Sequence, residues 1–390
     1  MNHIERTNKT PISTFFSRLI TFFQKETVFC VATLAAILSC FFVVPSADYI
    51  SYIDFRVLAI LFCLMLVVAG FQSVGLFEKL LPFLLQYVHT TRQLALVLVL
   101  SCFFLSMWIT NDVALITLVP FAIMVLTKLD REELLIPVIT LQTIAANLGS
   151  MGTPIGNPQN LFLYTVSEMP VMDFMKVILP YLSFSLVLVI LGCLYFPKSP
   201  VQLSAEVSAS KQANTEKRKQ TLVIIHSILL ILCLLTVFRL LDYRITLVCV
   251  VAVLFFAQKN LFKEADYILL LTFISFFIFV GNLKNISVIN DLLEQIVTGH
   301  EVMVSILSSQ IISNVPAAVL LSGFTRDYSS LIVGTNLGGL GTLIASMASL
   351  ISFKYYGNIA GCNRKKYLIH FTVWNVVYLA ILIVVFLIFQ

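Results

Sequence analysis

Two polar stretches interrupt an otherwise apolar chain, and their residue types suit ion and solute binding. The first, NLGSMGTPIGNPQNL at 147–161, contains Asn147, Gly149, Gly152, Thr153, Asn157 and Asn160, with Thr110, Asn111 and Asp112 upstream. The second, TNLGGLGTLIASMASL at 335–350, contains Asn336, Gly338, Gly341 and Thr342, with Ser313 and Asn314 upstream. Amide and hydroxyl oxygens, with carbonyls of unwound backbone, are hard ligands for a small cation such as Na⁺. A possible Na⁺ position therefore lies near Asn111, Asn147, Asn314 and Asn336. Half-helix N-termini offer N–H groups and a positive dipole end, which suit an anion. Segments 93–127, 134–167, 302–325 and 328–353 contain no Lys or Arg, and Asp112 is their one acidic residue. A carboxylate at that depth must be paired, cation-bound or protonated. Two readings stand for it: a proton-carrying or cation-binding group, or a cap on the helix that starts at Val113.

The Gly and Pro density of 147–161 breaks a helix, yet its flanks are too hydrophobic to leave a membrane there. A transmembrane helix broken at mid-depth, its freed N–H and C=O groups lining a polar cavity, reconciles the two. Laid on each other without gaps, 146–161 and 335–350 match at seven of sixteen positions. Each is preceded by a polar tip, so two paired motifs recur in the same order, which marks an internal duplication. The glycines are expected to serve backbone geometry, through close approach to an ion or positive φ. Gly192, in an uninterrupted span, is expected to tolerate bulk.

The elements that must carry these motifs follow from composition. Hydrophobic residues make up 59% and charged residues 12%, against roughly 25% charged in an average soluble domain. The fold class expected is an all-α polytopic membrane protein. The reading divides it into a cytoplasmic amphipathic N-terminus (1–26), a first transmembrane half (27–196), a cytoplasmic linker (197–220) and a second half (221–390). The first half holds a tip-bearing segment at 93–127 and a broken helix at 134–166. The second holds their counterparts at 301–325 and 330–353, with interfacial connectors at 76–88 and 284–298. Segment 93–127 could be two crossings or a re-entrant hairpin; 301–325 is too short for two crossings at 1.5 Å per residue.

Lys and Arg placement favours hairpins. With both tips re-entrant and the N-terminus cytoplasmic, only Arg56, Lys176, Arg239, Arg244, Lys284 and Arg326 of the 25 Lys and Arg lie outside. Making 301–325 a full crossing would move Lys354, Arg364, Lys365 and Lys366 out, against the positive-inside rule. The hairpins then enter from opposite sides, so the duplicated units form an inverted repeat with an extracytoplasmic C-terminus.

Other features are expected to be structural. His226, His370 and Trp374 read as packing or interface residues, and Arg239, Asp242 and Arg244 as an exposed ion-pair cluster. The eight Cys show no metal-type spacing, and no cofactor is implied. No Walker loop, HExxH or Gly-x-Ser-x-Gly supports ATP hydrolysis or the common hydrolase chemistries. The positive net charge is a topology signal, not a nucleic-acid footprint.

At 108–120 and 146–160, and again at 313–318 and 334–349, the chain resembles the ion transporter superfamily, which includes arsenite permeases, citrate and dicarboxylate transporters and a sodium–proton antiporter branch. The resemblance covers roughly 57–389. It implies re-entrant hairpins, broken helices, a homodimer and elevator-type alternating access. The sodium-coupled dicarboxylate members carry Ser-Asn-Thr at both tips, whereas these tips read Thr110-Asn111-Asp112 and Ser313-Asn314-Val315. The Asp tip is closer to the arsenite-permease side, where proton coupling is the expectation.

The function expected is a secondary transporter, not an enzyme, in a bacterial-type inner membrane, moving a small organic or inorganic anion with H⁺ or Na⁺. The alternatives are a cation–proton antiporter using Asp112, an arsenite-type efflux permease, or a non-transporting receptor or channel on the same scaffold.

Overall fold

A computed structural model of the chain describes residues 22, 26–75, 88–201 and 216–389. Nearly all of the expected amphipathic N-terminus (1–26) and of the connector at 76–88, and most of the linker at 197–220, fall outside the described residues. The helices are α1 (Thr27–Ser39), α2 (Phe55–Ser73), α3 (Thr91–Ile109), α4 (Asn111–Lys128), α5 (Leu135–Ser150), α6 (Pro158–Ser167), α7 (Val171–Leu194) and α8 (Glu216–Val237). There follow α9 (Tyr243–Gln258), α10 (Tyr267–Lys284), α11 (Ser287–Val297), α12 (Glu301–Ile312), α13 (Asn314–Leu321), α14 (Tyr328–Leu337), α15 (Met347–Gly357) and α16 (Arg364–Phe389). Among the described residues, nine helices are long and apolar enough to cross a membrane. The protein is a polytopic all-α membrane protein.

Local sequence explains where the helices begin and break. Thr90 and Gln93 form a reciprocal capping box at the start of α3, which satisfies two otherwise orphaned N–H groups. The side chains of Asp54, Asp266 and Asp327 each accept an N–H at the starts of α2, α10 and α14. The two broken helices are α5/α6, separated by 151–157, and α14/α15, separated by 338–346. Within the first, α5 is the centre of the molecule, 83% of its apolar window being buried. By contrast α7, α8 and α9 turn most of their apolar surface outward, as lipid-facing helices do.

Each tip segment is a pair of packed helices, α3 with α4 and α12 with α13. The arms of the first are 19 and 18 residues long, each enough to cross, so its length fits both readings that the sequence leaves open. The arms of the second have 12 and 8 residues, and neither reaches the roughly 20 that a crossing needs.

The basic cluster expected at 239–244 is not an ion-pair cluster. Among the described residues the ion pairs are Arg131–Glu133 and Lys176–Asp173. The Asp242 side chain caps α9 through the Arg244 N–H, and Arg239 turns inward. His226 and His370 do pack as expected, against Gln258 at 2.6 Å and Thr140 at 3.2 Å.

Candidate solute and ion site

Both tips are strained in the same way. Thr110 has φ 69° and ψ 152°, and Ser313 has φ 74° and ψ 155°. A side chain in that region of φ/ψ costs about 1–3 kcal/mol and persists only where its surroundings enforce it. The enforcement is visible and duplicated. Just past each tip, the Asn111 N–H donates to Gly156 O at 3.1 Å, and the Asn314 N–H donates to Ala345 O at 2.9 Å. Gly156 and Ala345 occupy equivalent positions of the repeat. Before each tip, Thr153 donates to Met107 O and Thr342 to Gln310 O, again at equivalent positions. Each hairpin is thus sewn to the broken helix of its own unit on both sides of the strained residue.

The two units then meet through their asparagines. Asn147 Oδ1 accepts from Asn111 Nδ2 at 3.1 Å and from Ser346 Oγ at 3.0 Å. Asn336 Oδ1 accepts from Asn157 Nδ2 at 3.0 Å, and Asn336 Nδ2 donates to Asn160 Oδ1 at 2.5 Å. Because Ser346 is the counterpart of Asn157, the 147–346 and 336–157 contacts are one contact seen twice. That is the reciprocity of a two-fold pair. Hydrogen bonds of 2.9, 3.0 and 3.0 Å, through Ser150 and Asn157, join the Asn147 carbonyl to the Asn336 side chain. The two asparagines therefore share one network and do not line separate ones.

Four helix N-termini converge on this network: α4 at Asn111, α6 at Asn157, α13 at Asn314 and α15 at Ser346. The C-terminal ends of α3, α5, α12 and α14 lie at the same tips and breaks, so with no Lys or Arg nearby in sequence the place offers N–H groups to negative charge and free carbonyls to a cation. The same network is rich in amide and hydroxyl oxygens, the ligand set for a small cation. Cation and anion could be held side by side.

The glycines serve packing more than ligand approach. A Cβ on Gly149 would lie 2.0 Å from Phe103 O, and one on Gly338 would lie 2.6 Å from Ser309 Oγ. Gly152 abuts Leu182. Of Gly149, Gly152, Gly338 and Gly341, it is Gly341, at φ +109°, that needs the conformational freedom of glycine. Gly192 is not a free position either, because a Cβ there would lie 2.2 Å from Tyr378 Oη.

Asp112 stands apart from the amide network. Its Oδ1 accepts no N–H of α4; the Asp112 N–H is instead accepted by Asn111 Oδ1 at 3.0 Å. Its Oδ1 is buried with no hydrogen-bond partner. The capping reading of Asp112 has no geometric support.

Sequence reasoning missed Ser150, Ser346 and Gln310. Ser346 was legible as the repeat counterpart of Asn157. Gln310 is the one amide in its hairpin arm, which marks the residue but not its partners. Its Nε2 donates to Gly338 O and Leu340 O at 3.1 and 2.9 Å, and its Oε1 accepts from the Thr342 N–H at 2.8 Å. It braces the second break, where the first uses Asn160, which donates to Met151 O and Thr153 O.

The family model described as citrate transporter matches residues 20–328. Among curated relatives, an uncharacterized transporter of Methanocaldococcus jannaschii is 32% identical over 77% of this chain and 81% of its own length. An inner membrane protein of Escherichia coli is 31% identical over 80% of this chain and 83% of its own. A silicon efflux transporter of Oryza sativa is 31% identical over 46% of this chain and 38% of its own. The family match ends where α14 begins, so the second break is tied to the first by the internal repeat and by the hydrogen bonds between them.

Proposed function

The chain belongs to the citrate transporter family, and from that premise we propose that it moves a small, negatively charged solute across the cell membrane by alternating access. The observation that carries this reading is the meeting of four helix N-termini at one buried amide network. Such N–H ends can hold an anion without any fixed cation, and the carbonyl ends of the partner half-helices, with the side-chain oxygens, can hold the coupling ion beside the solute. The coupling ion in this reading is H⁺ or Na⁺, and the motion is a displacement of the hairpin and broken-helix core past the outer helices.

The experiment is counterflow in proteoliposomes. Vesicles loaded with unlabelled citrate should accumulate labelled citrate transiently, whereas counterflow of silicic acid, uncharged at neutral pH, in a parallel series and not of citrate would remove the anion from this reading. A receptor on a transporter scaffold would show no counterflow with any solute. A second reading, cation–proton exchange at Asp112, is favoured by the buried, unpartnered Asp112 Oδ1. In that case ²²Na⁺ would exchange and neither solute would.

The same reading places the protein in a bacterial inner membrane with the linker at 197–220 cytoplasmic and Gln390 extracytoplasmic. Cysteines introduced at Ser208 and Gln390 should label from opposite faces. Labelling of both from one face would remove the inverted-repeat topology.

A further inference from the structure

The described helices pack in two groups. In the outer group, α1 lies on α10, and α8 and α9 lie on α2. In the inner group, the hairpins and broken helices pack with α7 and α16, and the groups touch where α2 meets α6 and α10 meets α13, with Phe162 of α6 against Phe273 and Phe277 of α10. Side-chain hydrogen bonds of the outer group tend to stay within it: Thr33 with Ser275, Asn282 with Ser39, Gln258 with Ser73, and Arg56 with Thr236 O. Arg239, in the turn between α8 and α9, reaches across. Its Nη1 donates to Glu168 O at 2.6 Å and its Nη2 to Tyr164 O at 3.1 Å, while its guanidinium carbon lies 5.4 Å from the Tyr164 ring centroid.

Those carbonyls belong to the C-terminal end of α6, where orphan acceptors need a donor from elsewhere. The guanidinium supplies a planar fork of donors and a positive charge at the negative end of the helix dipole. At its other end, α6 carries Asn157 and Asn160 of the site. Ten residues of helix, about 15 Å, therefore connect the Arg239 contact to the amide network as one rigid lever.

The backbone of Arg239 shows that this contact is held against a cost. Arg239 has φ +63°. The Leu240 N–H bonds Leu235 O at 2.8 Å, the six-to-one closure of a helix end in which the left-handed position is ordinarily glycine. A residue with a side chain is penalised there, and what Arg239 gives in return is the guanidinium on α6.

We propose that Arg239 is a latch: a positioning residue that ties the site-bearing half-helix α6 to the outer helices and must release when α6 moves past them. The latch rests on the alternating-access reading, since only a protein that moves needs one. It predicts that weakening Arg239 redistributes the conformations and does more than lower stability.

The test is a distance distribution from spin labels in the full-length protein, in a background whose native cysteines are replaced. One label goes at Leu240, beside the latch on the outer group, and one at Tyr195, at the far end of α7. Both positions are exposed, at 74% and 83%. The wild-type arginine should give one dominant distance. R239Q should raise the ratio of a second distance at least tenfold, and R239K, which keeps charge but loses the fork, should fall between. R239K also serves if R239Q does not fold. A plain helix cap would lower the melting temperature and leave the ratio unchanged, and that result overturns the latch. Counterflow by the wild-type protein separates the two levels: intact counterflow with an unmoved ratio removes the latch alone, whereas absent counterflow removes the transporter reading with it.

Discussion

Gly149→Leu is expected to abolish counterflow while the protein still inserts into the membrane. The Cβ alone would sit 2.0 Å from Phe103 O and 2.7 Å from Ser106 Oγ. A backbone carbonyl in the middle of α3 cannot rotate aside, so α3 and α5 must part. Overpacking of this kind typically costs 1–3 kcal/mol, and here it acts two residues from Asn147 and one from Ser150. Even Gly149→Ala should lose at least tenfold in counterflow rate. Gly338→Ala should be milder, because the Ser309 hydroxyl at 2.6 Å can turn and the fixed atoms, Gly334 O and Ser309 Cβ, stand at 2.9 Å, farther than Phe103 O from Gly149. Insertion depends on the flanking apolar runs, which neither change touches. Gly192→Leu does not serve as the mild control, given the Tyr378 hydroxyl against it. Val187→Leu does, since Val187 is 53% exposed on α7. Counterflow at the wild-type rate in Gly149→Leu would mean that the close α3–α5 contact has no part in transport.

Much of this arrangement was legible in the chain because it is written twice. Asn147 and Asn336, or Gly149 and Gly338, are single polar or small residues among apolar ones, and either alone would be ambiguous. Their repetition at matched spacing removes the ambiguity, and the matched hydrogen bonds at Gly156 and Ala345 follow from it. What could not be read are the contacts that the repeat does not duplicate. Gln310 stands where the first unit has Met107, and nothing local tells that an amide in that arm braces a break thirty residues on. Arg239 was misread because Asp242 and Arg244 are close in sequence, and proximity suggested pairing. Its partners are backbone carbonyls about seventy residues earlier, and a backbone acceptor leaves no mark in sequence. Asp112 was legible as a residue type in a setting, but only the side-chain geometry separates a cap from a free carboxyl.

That separation gives the second large effect. Asp112→Asn is expected to eliminate uptake driven by a pH gradient while leaving counterflow within about threefold of wild type. Asp112 lies in the first turn of α4, where the helix dipole favours a carboxylate by about 0.3–1 kcal/mol, up to ~2 in the best partly buried cases. Removing a carboxylate from water costs several kcal/mol. The dipole does not cover that difference. No hydrogen bond to Oδ1 makes up the remainder. The carboxyl therefore needs a proton or a cation as its partner, and a partner that comes and goes during the cycle is a coupling ion. Asparagine keeps the shape of the protonated acid but can never give up the proton. Exchange of solute for solute requires no net proton movement and should continue. Net uptake into alkaline-loaded vesicles from an acidic medium requires the proton to be taken up on one face and released on the other, and should stop. If wild-type uptake responds to a sodium gradient and not to pH, the same substitution should instead weaken sodium dependence, because a neutral amide holds Na⁺ less tightly than a carboxylate. A variant that keeps the wild-type response to both gradients would place coupling elsewhere in the network and leave Asp112 without a transport role.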